Sequence, residues 1–543
     1  VLTVSRARAD QVARLFVGSL LLLPALLAFG LVFWLPALRT LGLSLQSAVP
    51  GRPGTFAGLS NYTYPWREPG FWPALTCSVQ VALVRVVAVM PLPLLLGWSW
   101  GCQGRHLRLL GRLVLSLGLA LSTPAALSLL WRLALLRLPL LQLLAPAGGA
   151  QSPAAYLLLE FVAFLGTGGA LTAMALLLAR PRQALTARGI LGLGAIAALS
   201  SGLNSFSLPF ALGSDGRTAP LAVRVFRTAF AQLRLGQGAA EAVPLLALSV
   251  GLGLCFGLIS ERIGLRLVVA RAEEARPLSW PALLLGAVGL ALLVSPLTLL
   301  YLWGAGMAFL YPGEPLARAA SSLDLAVALL NGNLAPVAAI VCVQLPAAYL
   351  AAVSLALVRP FGRRGSSVAF AGLLASGFVP PLVVGIGLFD WVRRAGLFNT
   401  VPASGLPLVA GPASFYLLKL YFTGQEARLA HAIRGGLAPV SAFFRHLFRP
   451  SLPVALLAGA LSFLLAGQSL LWPLLVLARR DLYPLALHLL VHQSQFTGEP
   501  ALLAAGAWLV LTCWGAGMLA IWWPLQTLVL ERLEVVAGVR RNL

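Results

Sequence analysis

Uninterrupted apolar runs of roughly 20 residues recur along the whole chain, and they constrain its fold more than any other feature. The run LFVGSLLLLPALLAFGLVFWLPAL, Leu15 to Leu38, is one of them. As a helix, such a run crosses the ~30 Å hydrocarbon layer of a bilayer. The runs are continuous and do not alternate apolar with polar residues, which excludes a β-barrel and leaves helices. Hydrophobic residues make up 59% of the 543 and charged residues only 10%, far from the balance of a water-soluble domain. The expected fold is all-α and polytopic.

Candidate spans are 15–38, 74–100, 111–131, 153–178, 189–211 and 237–260, followed by 281–303, 327–358, 367–392, 405–422, 450–476 and 500–525. These make about twelve transmembrane helices. The segment SERIGLRLVVARAEEARPLSW, Ser260 to Trp280, mixes acidic and basic residues and divides the spans into two blocks of six. Six is even, so both blocks enter the membrane in the same direction. Two parallel six-helix repeats place a substrate path at their interface. The division is residues 1–265, a cytoplasmic linker 266–280, and residues 281–543.

A net charge of +23 in a soluble protein points to nucleic acid, but here the arginines are scattered through loops. Membrane topology accounts for them, and no nucleic-acid partner is expected. Arg6, Arg8 and Arg14 precede the first run, which is too long for a signal-peptide core and reads as an uncleaved signal anchor. With the N-terminus inside, the inside loops carry the larger share of Lys and Arg, so both termini are expected to be cytoplasmic. The five cysteines form no CxxC pair and read as small packing residues.

No phosphate-binding GxxxxGK[ST], HExxH or Ser/His/Asp set lies in the spans, so neither a catalytic site nor a metal site is expected. Arg85, Glu160 and Lys419 are the charges placed within the membrane. Lys419 lies near the inner end of its helix and is expected to snorkel to the interface. Arg85 and Glu160 read either as a structural pair or as the lining of a polar cavity. Asn204, Ser205 and Ser207 in GLNSFSLPF, and Gln468, Ser469 and Trp472 in AGQSLLWP, fall at comparable places in the fifth span of each block. Amides beside aromatics suit an uncharged, hydroxyl-rich ligand; hydrogen bonding between helices is the alternative.

The longest polar interval of the second block is FTGQEARLAHAIRGGLAPVSAFFRHLFRPSLP, Phe422 to Pro453. Leu429, Ile433, Leu437, Val440, Phe444 and Leu447 recur in it at spacings of three and four, which predicts one apolar stripe. Gly435 and Gly436 interrupt the pattern, and Pro439 is placed to start a second short helix. A helix, turn and helix of this kind lies on lipid or docks into a groove of another protein.

That segment resembles the cytoplasmic loop through which permease subunits of bacterial ABC importers meet their ATPase. The segments NGNLAPVAAIVCVQLPAAYLAAVSLALVRPFGRRG, FVPPLVVGIGLFDWVRRAGLFNT and LLWPLLVL resemble the second permease subunit of carbohydrate importers of the maltose and glycerol-phosphate type. FAGLSNY, EPGFWPAL and VRVFRTAF resemble the first. The matches cover nearly the whole chain in order, so it resembles the two subunits fused.

The resemblance implies a permease in a bacterial inner membrane, with a cytoplasmic ABC ATPase dimer and an extracellular solute-binding protein as partners and a sugar or polyol as substrate. ATP and Mg2+ would belong to the ATPase, with no cofactor in this chain. The coupling loop 423–450 would act through Glu426, Leu429, Ile433, Gly435, Gly436, Leu437, Val440 and Phe444. The substrate path would include Asn204, Ser205, Ser207, Glu160, Gln468, Ser469 and Trp472.

Two departures stand out. Counting back from Gly435 or Gly436, the Glu of the family's Glu-Ala-Ala pattern falls on Leu429 or Ala430, with Glu426 upstream. In the first block the corresponding place is only LLARPRQALTARGIL, Leu177 to Leu191, too short for a helix, turn and helix. An asymmetric ATPase interface is therefore expected. A permease for another solute, of iron or thiamine type, and a degenerate permease-derived protein that no longer transports stand as alternatives.

Overall fold

A computed structural model describes residues 2–49, 54–101, 103–142, 152–179, 183–213, 219–270, 279–310, 314–496 and 498–538. The chain is 84% helical. Ten helical runs are long and apolar enough to cross a membrane, and two bent helix pairs bring the total to twelve. This is a multi-pass membrane protein of the all-α class. In chain order the spans are 1 (Gln11–Ser44), 2 (Phe71–Trp100), 3 (Arg105–Ala120 with Pro124–Arg137), 4 (Pro153–Leu178), 5 (Ala184–Leu203) and 6 (Leu235–Ile263). The second half supplies 7 (Trp280–Leu310), 8 (Pro315–Val358), 9 (Gly362–Ser376 with Pro381–Arg394), 10 (Val401–Arg434), 11 (Pro439–Gly467) and 12 (Pro500–Arg532).

Spans 3 and 9, read from the sequence as continuous helices, are each bent, by 77° and 78°. Proline explains where. Pro124 and Pro381 open the second pieces, and a proline has no N–H to continue a helix while it holds the residue before it in an extended conformation. Spans 5 and 11 also stop earlier than their apolar runs. Asn204–Phe206 and Gln468–Leu470 separate them from the short helices Ser207–Leu212 and Leu471–Val476. The third and fifth members of each half thus break in the same way.

The halves exchange contacts at both ends of their helix order. Span 1 packs on span 8, where the Ser354 hydroxyl donates to the Gly18 carbonyl at 2.8 Å. Span 7 packs on span 2, where the Trp100 indole N–H donates to the Leu283 carbonyl at 3.1 Å. Span 6 lies against span 9, and span 12 against span 3. The span 6 contact depends on small residues: a Cβ placed on Gly257 would lie 2.7 Å from the Ala371 Cα.

Two small antiparallel sheets are outside the all-helical expectation. Strand β1 (Gln46–Ser47) pairs with β2 (Thr55–Phe56). Strand β3 (Leu265–Val269) pairs with β4 (Leu533–Ala537), with Leu267 opposite Val535. Residues 266–269 of the expected linker are therefore strand, while 271–278 lie outside the described residues. Because β3 follows span 6 and β4 follows span 12, their pairing sets the ends of these even-numbered spans on one face. Ala179, at the end of span 4, joins the same sheet by a bridge to Val535.

The cysteines do not share one environment. Cys77 is buried, Cys513 is half-buried, and Cys255 and Cys342 are exposed on the sides of their spans, so the packing role expected for all of them fails for the last two. Cys102 lies outside the described residues.

Candidate functional site

The two helix breaks converge. The Ser207 hydroxyl, at the start of its short helix, accepts from the Leu470 N–H at 3.2 Å, and the Gln468 amide donates to the Ser122 hydroxyl at 3.1 Å. The breaks correspond residue for residue: Asn204 with Gln468, Ser205 with Ser469, and Pro209 with Pro473. Breaking a helix inside an apolar layer exposes backbone groups that need partners, and here Ser207 of the first half supplies one to the Leu470 N–H of the second, while Gln468 and Ser122 join the halves through their side chains. Ser122 adjoins the bend of span 3 and was not singled out from the sequence; a Ser-Thr-Pro triplet inside an apolar run is the signal that marks it.

The candidate path residues nonetheless do not share one environment. Glu160 is completely buried, and both carboxylate oxygens are engaged. Arg85 donates from Nε and Nη2 to Oε2 at 3.1 and 2.8 Å, while the Tyr156 and Ser205 hydroxyls donate to Oε1 at 2.9 and 2.8 Å. Arg85 also donates to the Ser201 carbonyl at 2.8 Å and lies 4.8 Å from the centre of the Phe164 ring. Of the two readings of this pair, the geometry is that of a satisfied structural cluster joining spans 2, 4 and 5. Asn204 turns elsewhere, donating to the Ser200 carbonyl and the Ser249 hydroxyl, each at 2.8 Å.

Ser469 and Trp472 stand apart from all of these. They line a cavity of about 70 Å³ with Asn333 and Ser404, all from the second half. The Trp472 indole N–H donates to the Ala403 carbonyl at 2.8 Å. Ligand pockets usually run from roughly 300 Å³ upward, so this cavity is a narrow one.

At the other end of the molecule, the interval 423–450 forms the tip of a helical hairpin. The sequence pattern predicts two short helices set apart from the spans. Instead the Pro412–Arg434 helix of span 10 runs unbroken to its end, Gly435 and Gly436 turn the chain, and Pro439 opens span 11. Gly436 takes φ +91°, a conformation that a side chain disfavours. The expected single stripe divides between two surfaces. Leu447 is buried, Leu429 and Leu437 are half-buried, and Ile433, Val440 and Phe444 are exposed. Glu426 forms an ion pair with Arg359 at 2.6 Å, a residue in the left-handed region (φ +54°) at the end of span 8.

Lys419 does not snorkel. It is 5% exposed and pairs with Glu261, which also accepts from the Ser367 hydroxyl at 2.8 Å. Its ammonium lies 4.0 Å from the centre of the Phe370 ring. The pair links span 6 of the first half to span 10, which carries the hairpin. A second buried carboxylate, Glu241 in span 6, accepts from Arg224 at 3.1 Å and from the Thr228 hydroxyl at 3.2 Å. A glutamate inside the run 237–260 is itself a signal that a cation lies nearby.

In the first half, span 4 ends at Leu178 and span 5 begins at Ala184, and residues 180–182 between them lie outside the described residues. Strand β4 lies beside the end of span 4 and the start of span 5: Val535 bridges to Ala179, and the Ala537 N–H donates to the Thr186 hydroxyl at 3.0 Å. Fold and site together define a helical membrane protein whose two halves interlock and whose equivalent helix breaks meet. No protein-family model matches the chain, and no curated protein matches it.

Proposed function

We propose that the chain is the membrane-spanning unit of an ATP-binding-cassette importer, two permease halves of carbohydrate-importer type in one polypeptide. The observation that supports this most is the meeting of the two equivalent breaks, Ser207 with Leu470 and Gln468 with Ser122. Polar groups at helix breaks between two parallel halves are where a membrane path is built. In this reading the hairpin faces the cytoplasm and Ile433, Val440 and Phe444 dock into an ATPase dimer that holds ATP and Mg2+. A solute-binding protein delivers a sugar or polyol to the opposite face. The half-to-half contacts at the breaks are those of a closed path, which opens when the hairpin moves.

A permease-derived protein that no longer transports is the second reading. It is favoured by the short interval between Leu178 and Ala184, which has too few residues for a helix, turn and helix, and by β4 beside both of its ends.

The experiment is co-purification of the full chain with a cassette ATPase encoded beside its gene, with Mg-ATP hydrolysis measured with and without the sugar-loaded binding protein. The importer reading expects a stable complex, stimulated hydrolysis, and at least about a tenfold loss of ATPase association for the Ile433→Asp, Val440→Asp variant. Equal association of the variant rules out the hairpin as the docking element. A folded chain that binds no ATPase leaves the non-transporting reading.

A further inference from the structure

Away from both sites, span 1 and the second piece of span 9 approach closely. The Thr40 hydroxyl donates to the Val383 carbonyl at 2.9 Å, and Gly387 faces the backbone of Pro36. Beside this contact lies a groove of about 290 Å³. Its walls are apolar, with Leu31, Leu35, Leu388 and Val409 among them. Leu31 is 56% and Leu35 50% exposed on a membrane span, so the groove opens to the hydrocarbon of the bilayer.

One end of the groove is charged. Asp390 accepts from Arg39 at 2.9 Å and from Arg394 at 2.8 Å. The carboxylate is 15% exposed, whereas the two arginine side chains are 45% and 64% exposed. One carboxylate does not neutralise two guanidiniums, and Arg393 adds a third positive charge beside them. Asp390 therefore orients the arginines, while each planar guanidinium keeps donors for an oxyanion. Trp391 lines the same end and is 47% exposed, as an aromatic at the membrane–water boundary is.

We propose that this groove binds an anionic phospholipid, with part of an acyl chain in the apolar trough and the phosphate on Arg39 and Arg394. The two requirements select the ligand together. A soluble anion leaves the trough unfilled, an uncharged sugar finds no polar partners along it, and a zwitterionic headgroup brings a cation toward an already positive rim.

The full chain in nanodiscs of equal phosphatidylglycerol and phosphatidylcholine, released into detergent and measured by native mass spectrometry, tests this. The expected result is retention of phosphatidylglycerol over phosphatidylcholine. The Arg39→Gln, Arg394→Gln variant should lower that ratio by about tenfold. Leu35→Trp, which fills the trough and spares the charges, should reduce retention of both lipids. Equal retention of the two lipids by the unaltered chain, or an unchanged ratio in the double arginine variant, would each overturn the proposal.

Discussion

Three glutamates buried in or at the ends of the spans, Glu160, Glu241 and Glu261, are each held by a cation from another segment: Arg85, Arg224 and Lys419. Removing one member of such a pair leaves a buried charge without its counter-ion, at a cost of about 3–5 kcal/mol. That asymmetry makes the pairs markers of helix arrangement and leaves Glu160 no free oxygen for a ligand. Histidines outside the spans give the molecule a pH dependence. His488 and His492, on the helix Leu485–Gln495, are buried, and burial holds both rings below the ordinary imidazole value. The Leu502 carbonyl can only accept, so Nε2 of His492 carries the proton and Nδ1 accepts from the Ser322 hydroxyl at 2.9 Å. Above about pH 6.5 both rings are neutral whether folded or unfolded, and they contribute no pH dependence. Below it the unfolded chain takes up protons that the folded rings resist, and stability falls by up to about 1.4 kcal/mol per pH unit for each ring. Thermal unfolding in detergent from pH 8 to pH 5 should show a midpoint that is flat and then declines. His492→Gln should flatten the decline, and an unchanged slope in that variant would remove His492 as its cause.

Among the elements, helix breaks and close helix contacts shape the protein more than helix length does. Pro124 and Pro381 bend spans 3 and 9 by nearly equal angles, and these bent spans pack on spans 12 and 6 of the opposite half. Contact at Gly257 permits that packing. A leucine there meets the Ala371 backbone, and overpacking of this kind costs about 1–3 kcal/mol. Gly251 of the same helix has open space where a Cβ would stand. Gly257→Leu should therefore lower the unfolding midpoint in detergent, whereas Gly251→Leu should leave it within the small range of surface changes. Equal midpoints for the two variants would mean that the span 6 and span 9 contact carries no such constraint. The hairpin follows the same logic in reverse: Gly435 and Gly436 let span 10 turn straight into span 11, and Ile433, Val440 and Phe444 stay exposed among the described residues.

Over the whole molecule, interlocking of the halves is what twelve spans alone do not imply. Span 1 packs on span 8 and span 7 on span 2, while β3 and β4 tie the ends of spans 6 and 12 together. Paired residues of an antiparallel ladder have Cα atoms about 4.5–5.5 Å apart, within reach of a disulfide. Leu267→Cys with Val535→Cys, in a chain whose own cysteines are replaced, should form that bond under mild oxidation. It would hold the two halves together after protease cleavage between them, and separation of the fragments without reductant would show that spans 6 and 12 do not end side by side.

The number of apolar spans follows from the sequence alone, because apolar length against bilayer thickness is a local quantity. The polar residues of the fifth spans and the turn at Gly435–Gly436 were legible for the same reason, since amides and paired glycines stand out in an apolar text. Partnership was not. That Glu160 is closed off by Arg85, that Lys419 meets Glu261 instead of water, and that Ser207 meets Leu470 depend on which helices lie side by side. Between helices in lipid that choice rests on shape and on satisfying isolated polar groups, interactions whose partners lie far apart in the chain. The tertiary structure alone decided which candidate residues share a site.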